Sequence, residues 1–317
     1  ARLDLGRVPR GLAAFADFIF SGSALNYFRT SVRYGLFFLY PVLILIAMAA
    51  LAIFLPHLIG RFIAPIPTWL SFLVSIAVFV GLLYVPGRFL LLNYIFDDWI
   101  FAGEFVHRTR AGLDERLDCF AREIVACAKD TSYDEVIVSA HSLGGALIMD
   151  ALDRALKLDP QLGLRGPKLW LMATGSSLLK VALHPKAKWL REAVARVADA
   201  PGISWIEYQA IVDVISFYKV NPVTAMGLPE QRNPVVQKVK MRNMLLPATY
   251  KRFWGNFFRL HRQWGMGNEV RYFYDYFQII CGPASLARRV ADHKLPEAFA
   301  RDGSFNAAAA PALGKAS

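Results

Sequence analysis

Two long apolar runs dominate the first third of the chain. Tyr34 to Gly60 contains no Asp, Glu, Lys or Arg, and neither does Phe62 to Gly87; only Arg61 lies between them. Each run exceeds the ~20 residues that a helix needs to cross a bilayer. The pattern predicts a two-helix transmembrane hairpin over residues 34–95, preceded by a short segment, residues 1–33. Pro56, Pro65 and Pro67 cluster between the runs and predict a break there. Tyr40, Trp69 and Tyr84 fall near the ends of the runs, where an aromatic belt would meet the headgroups. Core helices of soluble proteins are seldom uncharged over such lengths, and the first run starts too deep in the chain for a signal peptide.

Beyond residue 95 the pattern changes to short β-branched runs that alternate with amphipathic stretches. Leu113 to Asp130 has helical periodicity, with Leu117, Phe120, Ile124 and Val125 on one face. Asp134 to Ala140 predicts a buried strand and Gly144 to Leu156 a helix. Lys168 to Thr174 predicts a second strand, Ala187 to Val197 a helix and Ile203 to Ala210 a third strand. Val235 to Leu245 suggests a further strand and Tyr250 to His261 a further helix. Alternation of this kind favours a three-layer α/β domain around a parallel sheet, placed at residues 96–301. The Ala-rich end, residues 302–317, reads as a flexible tail.

Composition sharpens this division. Over 317 residues, 55% are hydrophobic, 19% are charged and the mean hydropathy is +0.34, but the apolar surplus is confined to the two runs. Net charge is +11, and residues 101–317 hold 29 Lys and Arg against 21 Asp and Glu. No zinc spacing, RNP-like motif or long basic run supports nucleic acid as the partner. A basic chain with an apolar hairpin points instead to anionic membrane lipids. Arg2, Arg7, Arg10, Arg29 and Arg33 precede the first run, and Arg61 alone lies between the two. The positive-inside rule therefore predicts a cytoplasmic N-terminus and, after two passes, a cytoplasmic α/β domain. Three scattered cysteines, Cys119, Cys127 and Cys281, fit reduced thiols in that compartment.

One motif carries chemistry. The strand ending at Ala140 runs straight into His141-Ser142-Leu143-Gly144-Gly145, and a helix follows. A nucleophilic serine on a sharp strand-to-helix turn needs small residues two places on either side, and Ala140 and Gly144 meet that need. The Leu143 N–H, at the start of the helix, is placed to donate to a developing oxyanion. His141 adjoins the serine, and neighbouring side chains at such a turn point apart, so the base must come from another loop.

With its AHSLGG elbow, the chain resembles the lipase-like and esterase-like members of the α/β-hydrolase superfamily over roughly residues 113–285. In that superfamily the acid and the histidine follow the serine along the chain. The resemblance implies Ser142 as nucleophile, Asp213 as the acid beyond the third strand, and His261 as the base, favoured over His293. Tyr250 to Phe277 interleaves aromatic residues with Lys251, Arg252, Arg259, Arg262 and Arg271, a composition suited to an acyl-pocket wall or a headgroup layer. No glycine-rich loop or early strand precedes Asp134, so the implied sheet is abbreviated and a second oxyanion donor is not identified. The expectation is a membrane-tethered serine hydrolase acting on an ester of a lipid or other hydrophobic acyl compound, with no cofactor and no metal. The alternative is a weak or inactive hydrolase-like subunit serving as a structural component of a membrane protein complex.

Overall fold

The computed structural model describes residues 6–62, 67–85, 87 and 90–293. The tail read at residues 302–317 and the turn containing Pro65 lie outside the described residues. The chain divides into two compact units, residues 1–110 with 184–186, and residues 111–183 with 187–317. This boundary falls beyond the compositional one near residue 95, because the helix that follows the apolar runs packs along the first helix of the chain.

The first unit is helical: α1 (Arg7–Phe20), α2 (Ser23–Thr30), α3 (Val32–Phe62), α4 (Thr68–Tyr84) and α5 (Leu92–His107). α1 lies against α5, and α3 against both α2 and α4. Gly11 permits the first of these contacts, since a Cβ there would come within 2.7 Å of the Phe96 ring. Aromatic residues fill the interior. Phe15 lies 5.0 Å from Phe38 and 4.9 Å from Trp99 between ring centroids, and Phe38 sits edge-on to Phe18 and Tyr27.

At 31 residues, α3 extends roughly 46 Å and is long and apolar enough to cross a membrane. Leu43, Ile46, Ile53 and Phe54 are exposed along it. Pro56 does not break the helix as its clustering predicts. Both Pro41 and Pro56 lie inside α3, which runs on so that Arg61 sits in its last turn rather than in a loop. A helical proline forfeits one backbone bond, and long apolar helices tolerate that loss. α4 has 17 residues, none of them buried, and falls short of a ~20-residue span. Among the described residues, therefore, one of the two apolar runs alone forms a helix of spanning length.

The second unit is α/β. Among the described residues, four parallel strands, β1 (Glu135–His141), β2 (Lys168–Thr174), β3 (Ile203–Ala210) and β4 (Val235–Val239), lie in the order β1-β2-β3-β4. The helices α6 (Leu113–Lys129), α7 (Gly144–Leu158), α8 (Leu178–Ala182) and α9 (Lys188–Asp199) come before or between them. α7 packs against both α6 and α9. The buried stripe of α6 is Leu117, Ala121, Ile124 and Ala128, whereas Phe120, expected on that face, is exposed. α10 (Pro222–Ala225) precedes β4, and α11 (Pro247–Phe253), α12 (Phe257–Arg262), α13 (Tyr276–Cys281) and α14 (Leu286–Ala291) follow it.

The segment after β4 forms a core with one face of the sheet. Ile206, Tyr208, Ala210 and Val239 pack with Leu260, Trp264, Tyr274, Ile279 and Leu286. The single helix read from Tyr250 to His261 is two, α11 and α12, because Gly255 turns the chain at φ +82°. On β3, side chains alternate between faces, which sets Trp205, Glu207 and Gln209 opposite Ile206 and Tyr208. Glu207 is buried and accepts a bond from the Trp205 indole at 3.3 Å.

Candidate active site

The carboxyl ends of the parallel strands hold the candidate chemistry, the usual location for sites in such sheets. β1 ends at His141, and Ser142 follows with φ +56°. A side chain rarely adopts this left-handed conformation, and here three bonds hold it. The Ser142 N–H donates to the Thr174 carbonyl at 3.3 Å, and its own carbonyl accepts from Ser177 at 2.9 Å and Gly145 at 3.0 Å. Strain of this kind persists only where the surroundings over-determine it. α7 starts immediately, with Leu143 as its N-cap. Gly145 lies against β2's outgoing loop, since a Cβ there would fall 2.1 Å from Ser176 Oγ. Ala140 is buried, while Ser142, Leu143 and Gly144 are part-buried. The Leu143 N–H makes no hydrogen bond among the described residues and remains available as a donor.

Asp213 lies just beyond β3 and is 1% exposed. Its carboxylate takes His261 Nδ1 at 2.9 and 3.0 Å, the Trp264 indole N–H at 2.7 Å and the Ile215 N–H at 3.2 Å. Burial alone would push the Asp213 carboxyl up; the neighbouring His261 and the bonds from His261 and Trp264 outweigh it and hold the group below its ordinary value. Asp213 therefore stays a carboxylate and fixes the proton on His261 Nδ1, leaving Nε2 with a lone pair. His261, on α12, is 3% exposed, and its Nε2 is buried with no hydrogen-bond partner among the described residues. The Ser142 hydroxyl is thus not bonded to it in this structure. Sequence order and strand ends identified Asp213 and His261, and the fold brings the two into direct contact across 48 positions of chain.

His141 supports His261 from below. The rings lie 4.4 Å apart at 34°, and His141 Nε2 donates to the His261 backbone carbonyl at 3.2 Å. Burial, and then the neighbouring His261, push His141 down to about 4, so it is neutral at physiological pH. A neutral ring can lie beneath a histidine that gains a proton without adding a second full charge. His293, the other histidine downstream of Asp213, is exposed and stacks on Phe273 at 4.2 Å. Asp150 pairs with Arg154, and Asp153 with Arg196 and Lys157.

Two contributors escape the motif. Trp264 orients the second carboxylate oxygen, and its position is fixed by edge contact with Tyr274, whose hydroxyl donates to the Trp264 carbonyl at 2.6 Å. Gly175 follows β2 at φ +52°, and a Cβ there would come within 2.3 Å of the Trp264 indole nitrogen and 2.6 Å of Asp213 Oδ2. Gly175→Ala is expected to destabilise the fold by about 3 kcal/mol, combining the left-handed backbone penalty with overpacking. A lower melting temperature of the full chain in detergent is the readout. A wild-type melting temperature in that variant would show that the site yields without cost.

Comparison with known protein families, curated proteins and solved structures finds no match to this chain.

Proposed function

We propose that this chain is a membrane-tethered serine hydrolase of α/β-hydrolase type, acting on an ester of a lipid or other hydrophobic acyl compound. One observation carries the reading: Ser142 is held at φ +56° on a strand-to-helix turn, at the same sheet end as a buried Asp213–His261 pair. Ser142 Oγ attacks the acyl carbonyl as His261 Nε2 takes its proton. The Leu143 N–H donates to the oxyanion, and His261 then returns the proton to the leaving alcohol. Water, deprotonated by the same nitrogen, releases the acid. Asp213 stabilises the imidazolium without itself being protonated. The Ser142–His261 bond forms when substrate is seated, as catalytic bonds loose in the free enzyme often do. The sheet is short for this class, because among the described residues β1 is an edge strand with none before it.

In this reading α3 and α4 form the two-pass hairpin. The arginines before α3 hold the N-terminus, and with it the α/β unit, on the cytoplasmic side. Exposed apolar residues along α3 and α4 support burial in lipid. The basic surface of the α/β unit favours anionic headgroups.

The test is covalent labelling of the detergent-solubilised full chain by a fluorophosphonate. The wild type is expected to label, and Ser142→Ala to lose the label while keeping its melting transition. Equal labelling of both would sink the nucleophile assignment. A second reading, a hydrolase-like subunit of a membrane protein complex, is favoured by the buried His261 Nε2 that Ser142 does not reach. An unlabelled wild type would decide for it.

A further inference from the structure

Asp17, His107 and His184 converge within the helical unit although they are far apart in the chain. Asp17 lies in the last turns of α1, His107 closes α5, and His184 belongs to the short stretch that clusters with this unit. His107 Nε2 is 2.8 Å and His184 Nε2 3.3 Å from the same Asp17 oxygen, and all three potential donor atoms lie within 4.8 Å of one another. A tetrahedral cation with bonds of about 2.0–2.2 Å needs its ligand atoms roughly 3.3 Å apart. Two nitrogens and one carboxylate oxygen suit a borderline divalent cation better than calcium or magnesium, which prefer all-oxygen shells.

The surroundings favour a site with one open position. His184 is fully buried, and Phe18 meets its ring edge-on at 5.4 Å. Asp17 and His107 are 34% and 29% exposed and line a cavity of about 350 Å³ with Arg10, Ala14, Gly103 and Glu104. Three ligands therefore face one another, and two of them also face space that water can enter.

We propose that Asp17, His107 and His184 bind a divalent cation of the zinc type, with a fourth coordination position open to this cavity. In this structure His107 Nε2 is hydrogen-bonded to Asp17, His184 Nε2 lies 3.3 Å from the same oxygen, and His184 Nδ1 accepts the Lys186 N–H at 3.2 Å. Coordination through the two Nε2 atoms requires each ring to carry its proton on Nδ1. His184 then gives up the Lys186 bond. Metal binding adds a resident group to the helical unit and is independent of the serine chemistry.

The experiment strips the full chain in detergent with a chelator and titrates it with Zn²⁺ by calorimetry, and with Co²⁺ by visible absorption. One equivalent of Zn²⁺ is expected, together with the intense bands of low-coordinate nitrogen-ligated Co²⁺. Asp17→Asn keeps an oxygen that can accept the His107 bond, and His107→Gln changes a part-exposed residue. Each is expected to weaken Zn²⁺ binding on the order of tenfold or more. Wild-type affinity in both variants overturns the site, and so does a Co²⁺ spectrum that stays that of the aqueous ion at every ratio. The Co²⁺ result stands on the unaltered chain, so it decides the matter even if a variant fails to fold.

Discussion

Asp213→Asn is expected to lower turnover by about 10⁴ while the protein stays folded, as for the equivalent change in a serine protease triad. The cause is the tautomer rather than a lost contact. The carboxylate accepts from His261 Nδ1, Trp264 Nε1 and the Ile215 N–H. An asparagine can keep its oxygen on one side, but its NH₂ turns toward one of the two ring donors. Where it faces His261, the imidazole must accept at Nδ1 and carry its proton on Nε2, the nitrogen that should take the Ser142 proton. The variant should also lose the charge that stabilises the imidazolium. Steady-state hydrolysis of a chromogenic ester by the full chain measures this, with the melting transition as a check on folding. Turnover within tenfold of wild type would show that the Asp213–His261 pair is structural.

The second large effect is a pH dependence of stability at Glu207. This residue is buried on β3, and desolvation pushes its carboxyl up to about 8, with the Trp205 bond pulling weakly the other way. In the unfolded chain the group titrates near its ordinary value, about 4.3. Between these values the folded state holds a proton that the unfolded state has released. Stability therefore falls as pH rises through the window, by up to about 1.4 kcal/mol per pH unit, and levels off above pH 8. His141 acts in the opposite sense, because its folded value of about 4 lies below its unfolded one and stability is lost as pH falls through that interval. The contribution of Glu207 must therefore be read from a difference. Glu207→Gln has the same shape and no charge to desolvate, so it is expected to melt higher than wild type at pH 8 and close to it at pH 5. Parallel melting curves across that range would mean that the burial of Glu207 costs nothing.

The parts of the fold legible in the sequence are those that depend on local pattern. β-branched runs located the strands, and the AHSLGG elbow located the turn at Ser142 because a strand, a tight turn and small flanking residues leave few alternatives. Asp213 and His261 were reached through chain order, since nothing local in AIVDVIS or RLHRQ marks them. Trp264 and Gly175 were not legible. An indole beside a histidine reads as core packing, and one glycine among 22 does not reveal that a carboxylate lies against its Cα. Phe120 misled because a phenylalanine fits a helical stripe by spacing, whereas the alanines at 121 and 128 allow the closer helix approach that the fold uses. Pro56 misled because a proline inside a helix costs one backbone bond, which a helix of 31 residues can absorb. The cluster of Asp17, His107 and His184 has no spacing signature at all, its members being separated by the whole apolar region and by β1 and β2.

The strand order has a consequence for assembly. Each strand of the sheet pairs with the strand next to it in sequence, so the sheet can be built in chain order, each parallel pair closing a crossover between residues such as Glu135 and Lys168. The sheet can grow from β1 toward β4 as the chain leaves the ribosome. The segment carrying His261 arrives after all four strands and packs on their finished face. Ser142 is positioned early and His261 late, so a nascent chain carries the strand-to-helix turn before it carries His261.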